Sequence, residues 1–258
     1  MKDKAKVDTN IQPYFFTKQF VALALAVGIA LVCRLTKNEN LLRLVLSYGL
    51  VVLFVTFEPY VKNKLSIPKY IHVFLYVLPM ILPIQWVLEV KAVSSINIEG
   101  IGVALITLLL LSIVNKRGIF DSFLGEYGRI PISKSQLPLE LLRIIVPIVS
   151  EEIYFRAYLI ELTRQLSPVI AISISTILFV LTHYLNRWAN VTYTLKDYAA
   201  FCFLGIALGY AYFYTSSFAL CVTAHMLFDI TAFIKITRRF VSSLRGNNES
   251  LFNDYEDV

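Results

Sequence analysis

Apolar runs of about twenty residues recur along this chain, and no other feature restricts its fold so strongly. As a helix, a run of that length matches the hydrocarbon thickness of a bilayer. Its repetition predicts an all-α, polytopic membrane bundle of about eight transmembrane helices. The runs read at about residues 20–35, 41–57, 70–90, 96–114, 137–160, 168–186, 198–214 and 218–236. The 258 residues are 57% hydrophobic with a mean hydropathy of +0.66. A soluble domain is nearer ~45–50% apolar. Four segments follow: a polar, basic stretch at 1–19; four spans and an amphipathic connection at 20–136; a core of four spans at 137–236; and a polar, flexible tail at 237–258. The spans leave no room for a separate soluble domain.

The net charge of +6 points to orientation in the membrane, because the basic residues cluster between the runs. No aromatic-interleaved basic domain or nucleic-acid motif accompanies them, so nucleic acid is not an expected partner. On the eight-span count, seventeen Lys and Arg fall on one side of the membrane. Five fall on the other (Arg34, Lys37, Arg43, Lys91 and Arg164), and Arg143 and Arg156 lie within the fifth span. That asymmetry predicts a multi-pass protein of the cell membrane with both termini cytoplasmic.

The Ala-rich run at 21–26 resembles a signal peptide, but the spans after it make an uncleaved first helix the better reading. Pro79 and Pro83 predict a kink in the third span, with Trp86 as an interfacial anchor and His72 interfacial or structural. Pro147 predicts a bend beside the fifth span's charges. Cys33, Cys202 and Cys221 all fall in apolar runs without CxxC spacing, so buried free thiols are expected. Gly205, Ala207, Gly209 and Ala211 form a small-residue pattern that permits close helix packing.

The ionisable residues deep in the last four runs set those runs apart: Glu151, Glu152, Arg156, His183, His225 and Asp229. Insertion scales put each charge near a bilayer centre at ~2.5–3.5 kcal/mol, so these polar faces must meet one another or a water-filled cavity. Glu152 and Arg156 stand four apart, acid before base, the favourable order for an ion pair. Glu151 lies ~100° round a helix from Glu152 and is the carboxylate left free to act as a general base. His225 and Asp229 share a face, as do Phe179 and His183, where the aromatic ring can fix the imidazole. Side chains at i and i+1 diverge, which makes Ser150 a poor nucleophile for this site. Hydrolysis, a proton or ion pathway, and charges that merely hold helices together are all compatible with this set. Zinc ligation by Glu151, Glu152, His183, His225 and Asp229 is a further alternative by ligand type. No compact zinc spacing supports it, and neither a metal nor another cofactor is expected.

In order, the chain carries Glu151-Glu152-x-x-x-Arg156, then Phe179-x-x-x-His183, then His225-x-x-x-Asp229, on three separate apolar runs. This succession resembles the type II CAAX prenyl endopeptidases and their bacterial relatives, grouped as CPBP (Abi) intramembrane proteases, over about residues 137–236. The resemblance implies an eight-helix bundle that hydrolyses a peptide bond of a membrane-associated protein or peptide within the lipid bilayer, as a glutamic-type enzyme. Glu151 with His183 would activate the water. Glu152, Arg156 and Phe179 would support them. His225 and Asp229 would polarise the scissile carbonyl or stabilise its oxyanion. An Asn at 229 would donate a hydrogen bond, whereas an ionised Asp accepts, so orientation of His225 by Asp229 stays open. Relatives are also implicated in bacteriocin immunity, which keeps a non-catalytic membrane scaffold as the alternative.

Overall fold

The computed structural model describes residues 38–65, 69–83, 131–185 and 193–253, with Val27 and Gly102 besides. The first and fourth expected spans save Val27 and Gly102, the amphipathic connection up to residue 130, Trp86, Cys33 and the Ala-rich run lie outside the described residues, as does the side chain of His72. The described residues are all-helical, without strands. In chain order they form α1 (Glu39–Leu65), α2 (Lys69–Ile81), α3 (Leu137–Glu151), a π-helical segment (Glu152–Tyr158), α4 (Leu159–Thr163), α5 (Pro168–Leu185), α6 (Leu195–Thr215), α7 (Phe218–Phe228) and α8 (Ile230–Asn253).

Among the described residues, α5 and α6 are each long and apolar enough to cross a membrane. The pair α7 and α8 makes a third crossing if its two arms count as one span. The fifth expected span is one helical rod from Leu137 to Thr163 interrupted by the π-helical segment. Buried Ser150, Glu151, Glu152 and Arg156 lie in the middle of that rod.

Sequence signals set the helix ends. α6 starts on a capping box: Thr194 Oγ1 accepts from the Asp197 amide, and the Asp197 carboxylate accepts from the Thr194 amide at 2.6 Å. It stops at Ser216, whose φ of 51° is left-handed and whose amide donates to Tyr212 O. Ser217 then caps α7 by accepting from the Leu220 amide, so two residues turn the chain from one helix into the next. Arg164 seals that corner. It holds Glu161 through two hydrogen bonds, donates to Phe213 O and Ser216 Oγ, and lies 5.0 Å over the Phe213 ring.

α6 packs on α5, with buried Gly205 set against Thr176 and buried Gly209 against Ile172. A Cβ on Gly205 would meet Thr176 Cγ2 at 2.7 Å, and one on Gly209 would meet Ile172 Cγ2 at 3.1 Å. Two members of the small-residue pattern thus permit the close approach expected of them, while Ala207 sits on the flank, half-buried.

Three expectations are corrected. The run 218–236 is two helices meeting at a 60° bend at Asp229. The tail is helical to Asn253: buried Ile236 and half-buried Phe233 and Phe240 lie on one face of α8, which rests against α3. Cys202 is exposed on the outer face of α6, whereas Cys221 is buried with its thiol near Leu208 O. In the third expected span the α-helix ends at Ile81, after Pro79, and Leu82 and Pro83 tighten into a 3-10 turn. Residues 84–90 lie outside the described set.

Candidate active site

Pro147 has no amide proton to give, so α3 lacks one backbone bond in the turn before the two glutamates. Ser150 Oγ donates to Pro147 O at 2.8 Å, which commits that hydroxyl to the backbone. At Glu152 the amide is shared between Ile148 O and Val149 O, and the helix widens into π geometry. Such wide turns recur at functional sites. Here consecutive carboxylates, which diverge on a regular α-helix, are both buried: Glu151 is 6% exposed and Glu152 is 0% exposed.

Glu152 faces a sealed cluster. Its Oε2 lies 3.2 Å from Arg156 Nε, with both side chains inaccessible, and its Oε1 accepts from His225 Nδ1 at 2.7 Å. Arg156 donates to Ser175 Oγ at 3.1 Å, and that hydroxyl donates to Phe155 O at 2.6 Å. The guanidinium also sits 5.0 Å over the Phe179 ring. Among the described residues, Glu152 Oε2 and Arg156 Nε find no well-aligned hydrogen bond, so their attraction is chiefly one of charge.

Glu151 faces a different set. Its Oε1 accepts from the Tyr76 hydroxyl at 2.8 Å. Its Oε2 is 3.9 Å from His225 Nε2, and Asp229 Oδ2 is 4.0 Å from the same nitrogen. The Asp229 side chain is 39% exposed, standing where α7 breaks into α8. His225 therefore spans both sets: Nδ1 is committed to Glu152, and Nε2 faces Glu151 and Asp229.

His183 lies on α5 one turn beyond Phe179 and two beyond Ser175, so the three share a face. Its Nδ1 pairs with Phe179 O at 3.0 Å. A carbonyl only accepts, so Nδ1 carries the proton and Nε2 is the free acceptor in the neutral ring. The imidazole is gripped between Phe179 at 4.5 Å and Phe201 at 4.4 Å between ring centroids. It makes no direct contact with Glu151 among the described residues. Tyr193, at the entrance to α6, packs 5.0 Å from Phe201 and 6.3 Å from His183. Burial first, then the carboxylates of Glu151 and Asp229, push its phenol up to about 12, so it stays protonated at neutral pH.

Thus Glu151, Glu152, Arg156, Phe179, His225 and Asp229 converge at one place, with His183 at its edge. Tyr76, Ser175 and Tyr193 are part of the same neighbourhood without having been singled out by the sequence. Ser175 had a legible signal, a hydroxyl at four-residue spacing from Phe179 and His183. Tyr76 had none. Among the described residues, no three His, Cys, Asp or Glu side chains are arranged to hold a metal ion. Glu152 spends one oxygen on His225 and points the other at Arg156.

Residues 133–231 match the family model for type II CAAX prenyl endopeptidase Rce1-like proteins. The matched segment runs from just before α3 to just after the break at Asp229, and it contains all three motifs. No curated protein and no solved structure matches the chain.

Proposed function

We propose, from the premise that residues 133–231 form a CAAX protease-like core, that this membrane protein cleaves a peptide bond of a membrane-associated protein or peptide with water activated by Glu151. The observation that carries the proposal is the pair of spacings at His225 Nε2, 3.9 Å to Glu151 Oε2 and 4.0 Å to Asp229 Oδ2. Both are too long for direct hydrogen bonds. Both suit an oxygen placed about 2.8 Å from each partner.

Glu151 Oε2 takes a proton from the water as its oxygen bonds the scissile carbonyl carbon, and returns that proton to the amine as the C–N bond breaks. His183, with Nδ1 tied to Phe179 O, accepts the water's second hydrogen bond through Nε2. His225 stabilises the oxyanion in its doubly protonated form, donating from Nε2 while Nδ1 stays with Glu152. Asp229, 4.0 Å from Nε2, orients that imidazolium by charge. Glu152, Arg156 and Phe179 hold the ring in place. No metal enters these steps, since every proton has a donor and an acceptor among these side chains.

The proposal extends to an eight-span chain with both termini cytoplasmic, resting on the apolar runs and the charge asymmetry. The test of function is a comparison of amino-terminal peptides in membranes of cells making the wild type or Glu151→Gln. New termini confined to the wild type are expected, and chelators added to the purified protein should leave that cleavage intact. Identical peptide sets at equal accumulation would favour a non-catalytic scaffold, as in bacteriocin immunity. Loss of cleavage to chelators with rescue by zinc would replace the glutamate mechanism.

A further inference from the structure

We propose that Tyr76 is a positioning residue of the catalytic centre, fixing the Glu151 carboxylate so that Oε2 is the oxygen presented to water. The inference rests on the reading of Glu151 as the base.

Tyr76 lies on α2, outside the segment that matches the family model. It is 5% exposed, and its hydroxyl donates to Glu151 Oε1 at 2.8 Å. One turn on, Met80 is fully buried with its sulfur 3.8 Å from Ser150 Oγ. Two consecutive turns of α2 therefore bear on two consecutive residues of α3, where the α-helix gives way to π geometry.

Buried tyrosines need a partner for the O–H, and buried Tyr154 and Tyr158, like half-buried Tyr48, find uncharged ones. Tyr48 donates to Leu178 O, Tyr158 donates to Arg43 O, and Tyr154 shares a hydrogen bond with Ser47 Oγ. Those bonds tie helix to helix. Tyr76 instead bonds a carboxylate that has no ion pair to a Lys or Arg among the described residues.

The consequence is asymmetry. A carboxylate has two equivalent oxygens and turns freely about its last torsion. A charge-assisted bond at Oε1 removes that freedom. Oε2 is then left on the side of His225 Nε2, at 3.9 Å. Such fixing is worth rate, because a base held within reach of its water needs no reorientation in the reaction.

Tyr76→Phe removes the oxygen and keeps the ring, so packing against Met80 and α3 is preserved. The turnover probe is an internally quenched farnesylated CAAX peptide in vesicles. Relative to wild type, kcat should fall on the order of 10- to 10²-fold with KM within about twofold, while the unfolding temperature stays close to that of wild type. The second measurement needs no substrate. With 13C-labelled glutamate, the carboxylate stretch assigned to Glu151 by its loss in Glu151→Gln should shift in Tyr76→Phe. An unshifted band overturns the inference, as does full kcat in Tyr76→Phe where Glu151→Gln is inactive. Where the wild type leaves the peptide uncut, the infrared band decides. Equal cleavage by wild type and Glu151→Gln would instead overturn the role of Glu151 as base, which separates the two failures.

Discussion

Glu151 and Glu152 are neighbours in sequence and opposites in surroundings. Glu152 is sealed: it faces Arg156 and His225, and behind them lie Ser175 and the Phe179 ring. Among the described residues Glu151 has a single neutral donor, Tyr76, and beyond it a gap bounded by His225 and Asp229. One side is built to hold its shape, and the other keeps an oxygen in reserve. Changes on the sealed side should therefore cost folding, and changes on the open side should cost chemistry.

The largest expected effect comes from Glu151→Gln, which keeps the size and removes the carboxylate proposed as the base. Turnover should fall by ~10²–10⁴-fold, with accumulation in the membrane close to that of wild type. His183→Ala should lose a similar factor, and the double variant should be little worse than either, because groups acting as a unit are not additive. Single-turnover cleavage by the purified variants reads both. If the two losses multiplied, Glu151 and His183 would not share a step.

Next comes Arg156→Ala on the sealed side. It takes away the charge that faces Glu152 Oε2 in an inaccessible site and leaves that carboxylate to His225 alone, at up to ~3–5 kcal/mol, and removes the cation over Phe179. The folded fraction in membranes should drop sharply. Normal accumulation with lost cleavage would move Arg156 to the chemical side.

A smaller effect is expected at the α5–α6 contact. Gly205→Val forces branched carbons onto Thr176, which a single Cβ already meets at 2.7 Å. Overpacking of this kind costs ~1–3 kcal/mol, read as a lower unfolding temperature. An unchanged unfolding temperature would show that α5 and α6 separate freely there.

The smallest effect belongs to the thiols. An apolar thiol reagent should label exposed Cys202 and leave Cys221 intact in the folded protein. Equal labelling would contradict the burial of Cys221.

Much of this division can be read in the sequence, for stated reasons. The four-residue spacings place Glu152 by Arg156, Phe179 by His183 and His225 by Asp229 on any helix, and each appears as a contact or near-contact. The runs at 168–186 and 198–214 contain no Asp, Glu, Lys or Arg, and a long helix stands over each. The π turn was not legible, because a change of backbone register leaves no side-chain mark except Pro147 nearby. Nor was the break at Asp229, where neither Pro nor Gly interrupts the run. The Glu152–His225 bond joins residues 73 positions apart, and no local spacing encodes it. Tyr76 reads as one more aromatic in an apolar helix until α3 is set beside it.

The most direct test of the central claim sets Glu151→Gln beside Glu152→Gln, with thermal unfolding and cleavage measured on the same purified samples. The account predicts that Glu151→Gln unfolds close to the wild-type temperature and is inactive, whereas Glu152→Gln is visibly destabilised. Cleavage at the wild-type rate by a stably folded Glu151→Gln protein would contradict it.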